Sequence, residues 1–212
     1  MSNAPLEVQI AEALLSIDAV SLRPQEPFTW TSGIKSPIYC DNRLTMSSPA
    51  IRDLIASGFA QIIRDQYPEA QVIAGTATAG IPHAAWVAQK LDLPMIYVRD
   101  KAKGHGKQNQ IEGRLNEGEK VIVIEDLIST GGSSLKAAQA VNTAGGQTLA
   151  VLAIFSYQFE KAEETFREAG IPLQTLSNYT ALVETAVRQN RIRPEDVAAL
   201  QEWRTRPESF YQ

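Results

Sequence analysis

Residues 121–134 read VIVIEDLISTGGSS. Four apolar residues lead into two adjacent carboxylates, Glu125 and Asp126. Leu127 and Ile128 follow, and then a run of small residues from Ser129 to Ser133. A strand that hands over to a helix in this way leaves free backbone N–H groups at the positive end of the helix dipole, which suits a phosphate. Small side chains let the anion approach the backbone. The two acids would repel a bare anion, so the pattern fits a ligand that also offers hydroxyls or a metal ion, as a ribose phosphate does. A tight strand–helix turn with a serine cap is the plainer alternative, and it needs only one of these residues. No Gly-Lys-Ser/Thr follows, and Gly-x-Gly-x-x-Gly is absent, so the two common nucleotide loops are disfavoured.

Two further segments carry related chemistry. GTATAGIP, 75–82, again runs from strand through small residues to helix. Thr76 and Thr78 supply hydroxyls, and Gly75 and Gly80 supply bare backbone. A second anion site and a close strand–helix packing device are both open readings. RDKAKGHGKQNQIEGR, 99–114, carries Arg99, Lys101, Lys103, His105, Lys107 and Arg114, with glycines on both sides of His105. Between Ala102 and Ile111 nothing is apolar, so packing does not hold this segment down. A cationic, glycine-hinged loop beside two phosphate-like loops suits a lid over a polyanion, rather than a merely solvated loop. Together the three segments fit a ribose with a 5-phosphate and a 1-diphosphate.

The elements that must position these loops follow from periodicity. QVIAG (71–75), PMIYVR (94–99), VIVIE (121–125), LAVLAIFSY (149–157) and LQTLS (173–177) read as strands. Helices are expected over 6–17, from Pro49 to about Tyr67, and over 80–91, 133–145, 159–170, 179–190 and 194–204. FTWTSGIKSPIYCDNR, 28–43, reads as a hairpin or extended arm, and 100–118 as an insert without strands. Strands without polar alternation, separated by amphipathic helices, predict an α/β fold. Its open, mostly parallel sheet would carry helices on both faces and all strand-to-helix loops on one edge, where such sheets bind ligands.

Bulk properties narrow the function classes. The chain has 212 residues, 44% hydrophobic and 21% charged, in the range of an ordinary globular domain. A net charge of −4 gives no electrostatic reason to bind nucleic acid. Cys40 is the single cysteine, so no intrachain disulfide or cysteine zinc cluster forms, in keeping with a reducing cytoplasm. The N-terminal segment shows neither a basic signal region nor a long apolar run, so neither signal peptide nor membrane span is expected.

VIVIEDLISTGG resembles the signature of the type I phosphoribosyltransferases. FTWTSGIKSPIYCDNR, together with RDKAKGHGKQNQIEG, looks like the orotate-specific members of that family, and the resemblance covers nearly the whole chain. It implies the type I fold with an N-terminal hood. Residues 1–45 would form a helix and base-binding arm, and 46–212 a core with a mobile lid at about 100–113. It implies transfer of the phosphoribosyl group from 5-phospho-α-D-ribose 1-diphosphate (PRPP) to orotate in pyrimidine (UMP) synthesis, releasing diphosphate. Mg²⁺ would be held mainly through the diphosphate and the ribose hydroxyls. The implied assembly is a homodimer whose lid reaches the neighbour's site, with no nucleic-acid or membrane partner. Carried over by motif, Arg99, Lys103 and His105 would grip the diphosphate, and Glu125 and Asp126 the ribose hydroxyls. Leu127 and Ile128 would join the PRPP-binding set, and Ser129, Thr130, Gly131, Gly132 and Ser133 would cradle the 5-phosphate. Ser129 would also touch orotate. Lys103, His105 and Asp126 are the implied catalytic residues.

Three departures from the family pattern bear on the base. Thr31 stands where many members carry lysine, Ala79 where many carry lysine in the second loop, and Ser156-Tyr157-Gln158-Phe159-Glu160 where many carry an Asp-Arg pair. Lys35 and Arg43 are then the candidate cations for the orotate carboxylate. Phe28, Trp30 and Tyr39 suit either a hood over a flat ring or core packing. His83 reads as a capping or packing residue and Cys40 as structural. The rival readings are a phosphoribosyltransferase for another base and a non-catalytic PRPP-sensing regulator. The latter calls for a basic face that the chain lacks.

Overall fold

The computed structural model describes residues 4–30, 33–100 and 110–211. The chain opens with helix α1 (Leu6–Ser16), which buries Ile10, Ala11, Leu14 and Leu15 on one stripe. Four short strands follow: β1 (Val20–Leu22), β2 (Phe28–Thr29), β3 (Lys35–Ser36) and β4 (Ile38–Cys40). β2 and β3 form the expected hairpin arm, whose turn places Gly33 at φ 85°, a conformation that favours glycine. The pairing of β1 with β4 is not anticipated by the sequence, because three-residue strands are too short to show a period. A 3₁₀ helix, Asn42–Ser47, leads into α2 (Pro49–Gln66), which starts with the expected proline.

Five strands then alternate with helices: β5 (Val72–Thr76), α3 (Gly80–Leu91), β6 (Met95–Val98), β7 (Ile111–Glu112), β8 (Lys120–Ile128), α4 (Gly132–Thr143) and β9 (Gln147–Ser156). α5 (Glu160–Ala169), β10 (Leu173–Asn178), α6 (Tyr179–Arg188), a 3₁₀ turn (Pro194–Asp196) and α7 (Val197–Thr205) complete the chain. Among the described residues the main sheet has the order β10-β9-β8-β5-β6-β7, parallel throughout except for β6 against β7. Alternate residues of one strand enter two separate cores. Ile73, Ile122, Ile124 and Leu152 pack with α1, α2, α3 and α6. Val72, Val121, Val123 and Val151 pack with α4 and α5 on the other face. Both faces are buried, which is why the strands read as continuous apolar runs.

Three differences from the sequence expectation matter. β8 does not end at Glu125 but continues through both acids to Ile128, because Leu127 and Ile128 keep pairing with Phe155 and Ser156 of β9. The insert after β6 is not strandless. Ile111 is 7% exposed, and its burial folds β7 back onto β6. The last helix begins at Val197 rather than 194, because the chain first makes a 3₁₀ turn.

α3 approaches the sheet very closely. A Cβ on Gly80 would meet the Ile124 carbonyl oxygen and the Thr76 hydroxyl, and one on Gly75 would lie 2.8 Å from the Ile81 Cα. Gly80→Ala should therefore cost about 1–3 kcal/mol of stability, read as a lowered urea midpoint. An unchanged midpoint would mean that α3 does not sit this close.

Candidate active site

β8 carries the acids from the core to the sheet's ligand-binding edge. Val121 to Ile124 are fully buried, and Glu125 remains 8% exposed. The Asp126 backbone N–H donates to Glu125 Oε1 at 2.9 Å. Burial, and after it the neighbouring Asp126 carboxyl, pushes the Glu125 pKa up to about 8. Burial raises Asp126 as well. Near neutral pH the pair thus holds a proton that two exposed carboxylates would have released.

The pair opens onto a cavity of 660 Å³. Thr76, Ala77, Thr78 and Ala79 form one wall. Arg99, Asp100 and Gln110 form a second, and Gly132, Ser133 and Lys136 a third. The second small-residue loop is thereby brought to the first. Its Thr76 hydroxyl is engaged, however, donating to the Ile124 carbonyl at 3.2 Å.

Helix α4 meets this cavity with an open N-terminus. Its cap is Gly131 at φ 79°, with no side-chain cap bond. A Cβ on Gly131 would come within 2.9 Å of the Phe166 ring, so backbone angle and close packing both call for glycine. Ser134 Oγ is turned back to the Gly131 carbonyl at 3.2 Å. No serine caps the helix, and its first-turn amides are open to an anion.

The site residues expected from the sequence fall into distinct places. Arg99, Glu125, Asp126, Leu127, Gly132 and Ser133 line the one cavity. Ser129 and Thr130 line an adjoining cavity of 930 Å³, with Trp30, Phe159, Arg204 and Arg206 among its walls. Ile128 has its side chain in the core against Ala153 and Ala162, and its carbonyl accepts from the Tyr157 N–H at 3.1 Å. Lys103 and His105, like Thr31, lie outside the described residues. The two ends of their segment are held together, with Arg99 N–H donating to Gln110 O at 2.9 Å and Gln110 Nε2 donating to Arg99 O at 3.1 Å.

Lys35 and Arg43 line neither cavity. Arg43 is engaged with Asp41, at 2.6 and 2.8 Å. The Lys35 side chain is exposed, and its carbonyl accepts from Trp203 Nε1 at 3.2 Å. Trp30 packs against Tyr157 and Trp203, with ring centroids 5.4 and 6.0 Å apart, while Tyr39 is 45% exposed and pairs with Phe28. His83 is buried in a packing position, where desolvation lowers its pKa to about 4.

Two residues of the site escape the sequence reading. Lys136 lines the cavity and forms no ion pair among the described residues. It stands three positions after Ser133, hence on the same helix face, and that spacing was the available signal. Asn42 donates through Nδ2 to the Asp126 carbonyl at 2.7 Å across 84 positions of sequence, a contact that no local pattern announces.

The raised Glu125 pKa gives a signed prediction. Between about pH 4.5 and 8 the folded chain keeps a proton at this position that the unfolded chain loses. This group therefore contributes a stability that falls as pH rises through that window, by at most about 1.4 kcal/mol per pH unit. Glu125→Gln cannot ionise, and its urea midpoint should fall less than the parent's between pH 5 and 8. Parallel curves would show that Glu125 titrates normally.

Comparison with known proteins agrees with this geometry. A family model described as "Phosphoribosyl transferase domain" matches residues 46–188. The chain is 58% identical over 203 residues to an orotate phosphoribosyltransferase of Listeria innocua, covering 96% of this chain and 97% of that one. It is 55% identical over 207 residues to that of Bacillus subtilis, covering 98% and 96%. The crystal structure of orotate phosphoribosyltransferase from Aeropyrum pernix superposes with a TM-score of 0.74 at 27% identity, covering 82% of this chain and 96% of that one. With matches of this extent over a sheet edge that carries paired acids beside an uncapped helix, the chain belongs to the phosphoribosyltransferase family and, within it, to the orotate phosphoribosyltransferases.

Proposed function

We propose that this chain transfers the phosphoribosyl group of PRPP to orotate, giving orotidine 5′-phosphate and diphosphate, the step that commits orotate to UMP synthesis. The observation that carries the reading is the 660 Å³ cavity in which Glu125 and Asp126 face the open amides of Gly132 and Ser133, with Arg99 and Lys136 on flanking walls. An anionic centre between cationic walls matches a sugar whose two ends are phosphorylated.

The residues then act as follows. The amides of the 129–133 loop and the α4 dipole hold the 5-phosphate. Glu125 and Asp126 accept hydrogen bonds from the ribose hydroxyls, and their charge favours the oxocarbenium-like sugar that forms as the C1–diphosphate bond lengthens. Arg99, with Lys103 and His105 of the lid, stabilises the charge growing on the departing diphosphate, and Lys136 adds a cation from α4. The orotate ring nitrogen attacks C1 as its anion, so no dedicated base is required. Ser129 contacts orotate from the phosphate loop, while Lys35 and Arg43, the cations expected for its carboxylate, line neither cavity. Closure of the 100–113 lid excludes water that would hydrolyse the sugar.

The donor set also suits Mg²⁺ carried on the substrate. Among the described residues no group of three or more metal-ligating side chains occurs, while two buried carboxylates face the sugar position. Glu125 and Asp126 would be the residues to hold such a cation, and when bound it would supply neutralisation of the charge on the leaving group. Among the described residues no helix is long and apolar enough to cross a membrane. A cytoplasmic homodimer that shares its lids across the interface completes the proposal.

Orotate absorbance should fall when PRPP and Mg²⁺ are added to the protein. Reaction of uracil or hypoxanthine instead, or of no base at all, would refute the assignment. Lys136→Met should raise the KM for PRPP roughly 10- to 150-fold, the equivalent of losing a contact of about 1.5–3 kcal/mol to a charged group. An unchanged KM would remove Lys136 from the site.

A further inference from the structure

β5 accompanies β8 only as far as the Gly75–Ile124 pair, yet β8 continues to Ile128. Beyond that point two side chains serve this stretch of strand. Thr76 Oγ1 donates to the Ile124 carbonyl at 3.2 Å, and Asn42 Nδ2 donates to the Asp126 carbonyl at 2.7 Å. Asn42 comes from the 3₁₀ helix after the arm and is 1% exposed.

The orientation of its amide is determined by its neighbours. The Asp126 carbonyl can only accept, so the nitrogen must face it. Oδ1 then receives the Cys40 thiol at 3.3 Å. The Asn42 carbonyl receives the Thr45 hydroxyl at 2.5 Å. With its hydrogen used there, Thr45 Oγ1 can only accept from His83. The His83 Nε2, 3.3 Å away, therefore carries the ring hydrogen, and Nδ1 is left without a partner. Thr45 and His83 are 0% and 1% exposed. His83 lies in the first turn of α3, directly after the Thr76–Ala79 wall. A buried chain of hydrogen bonds thus joins the first turn of α3, through the 3₁₀ helix, to the peptide that follows the Asp126 side chain.

We propose that Asn42 is a positioning residue for phosphoribosyl transfer: anchored by Thr45 and His83, its amide fixes the peptide after Asp126 so that the Asp126 carboxylate faces the ribose. This rests on the reading under Proposed function. The bond ends on the backbone of the acid pair itself rather than on a remote part of the core. Turning that peptide re-aims the Asp126 carboxylate, and it also moves the Leu127 N–H that hydrogen-bonds this carboxylate. Misaligned groups lower the rate of a bound complex more than they lower its formation.

The test compares Asn42→Leu, Asn42→Asp, Thr45→Val and Thr45→Ser with the parent for kcat, both KM values and the urea midpoint. N42L and N42D should lower kcat roughly 10- to 100-fold, with KM for PRPP within about threefold of the parent. T45V should lower kcat by a smaller factor, and T45S, which keeps the hydroxyl, should restore it. Loss of midpoint with kcat retained, or a raised KM at unchanged kcat, would overturn the proposal. If N42L and N42D do not fold, the contrast between T45V and T45S decides, and equal kcat values in the two overturn it. A parent that uses another base refutes only the choice of orotate, and the same comparison is then made with that base. A parent that transfers to no base refutes both.

Discussion

Two adjacent carboxylates at the end of a buried central strand are costly to keep, and most of the site's architecture answers to them. Each acid resists ionisation where it stands because water is largely excluded, and the neighbouring Asp126 raises Glu125 further, while the hydrogen bond with Glu125 works the other way on Asp126. In an ordinary core such a pair would be replaced by apolar residues. Here it lines the 660 Å³ cavity, and in the proposed function its charge is used when a sugar's hydroxyls and developing positive charge arrive. The binding edge of the sheet is thus held in a state that its ligand improves, which is one way to favour the transition state over the free protein.

Around the pair, opposite charge is delivered from separate parts of the chain. The 129–133 loop offers backbone dipoles, α4 offers Lys136, and the segment after β6 offers Arg99. Among the described residues Arg99 is the one of these paired with an acid, lying 3.4 Å from Glu112. No ion pair among the described residues joins one wall of the cavity to another. A polyanion is what satisfies them together.

Strand and helix positions and the phosphate-like loops are legible in the sequence because each depends on local signals: apolar runs, small residues after a strand, proline at a helix start. The reading ended β8 at Glu125, since acids ordinarily mark a strand's end, and only the pairing of Leu127 with Phe155 on β9 shows otherwise. β1 and β4 were invisible because three residues carry no period. The cavity also divides the predicted loop, giving Gly132 and Ser133 to one side and Ser129 and Thr130 to the other. Which way a loop residue faces depends on the elements beside it, here α5 and the arm. Asn42 illustrates the limit most clearly. Nothing near it in sequence distinguishes an arm asparagine that binds water from one that reaches the Asp126 carbonyl.

The arm itself raises a question of stability that points beyond the matched domain. A hairpin with two residues per strand cannot persist in water on its own. It is held from two sides. Trp30 lies in an aromatic cluster with Tyr157 and Trp203, and Trp203, fully buried in α7, donates its indole N–H to the Lys35 carbonyl at 3.2 Å. α7 lies after residue 188, where the family match stops. The last helix is therefore not a mere appendage to the catalytic core. It anchors the hairpin that leads, through β4, to Asn42 and the acid pair, so order at the C-terminal end of the chain and alignment at the ribose site are physically linked.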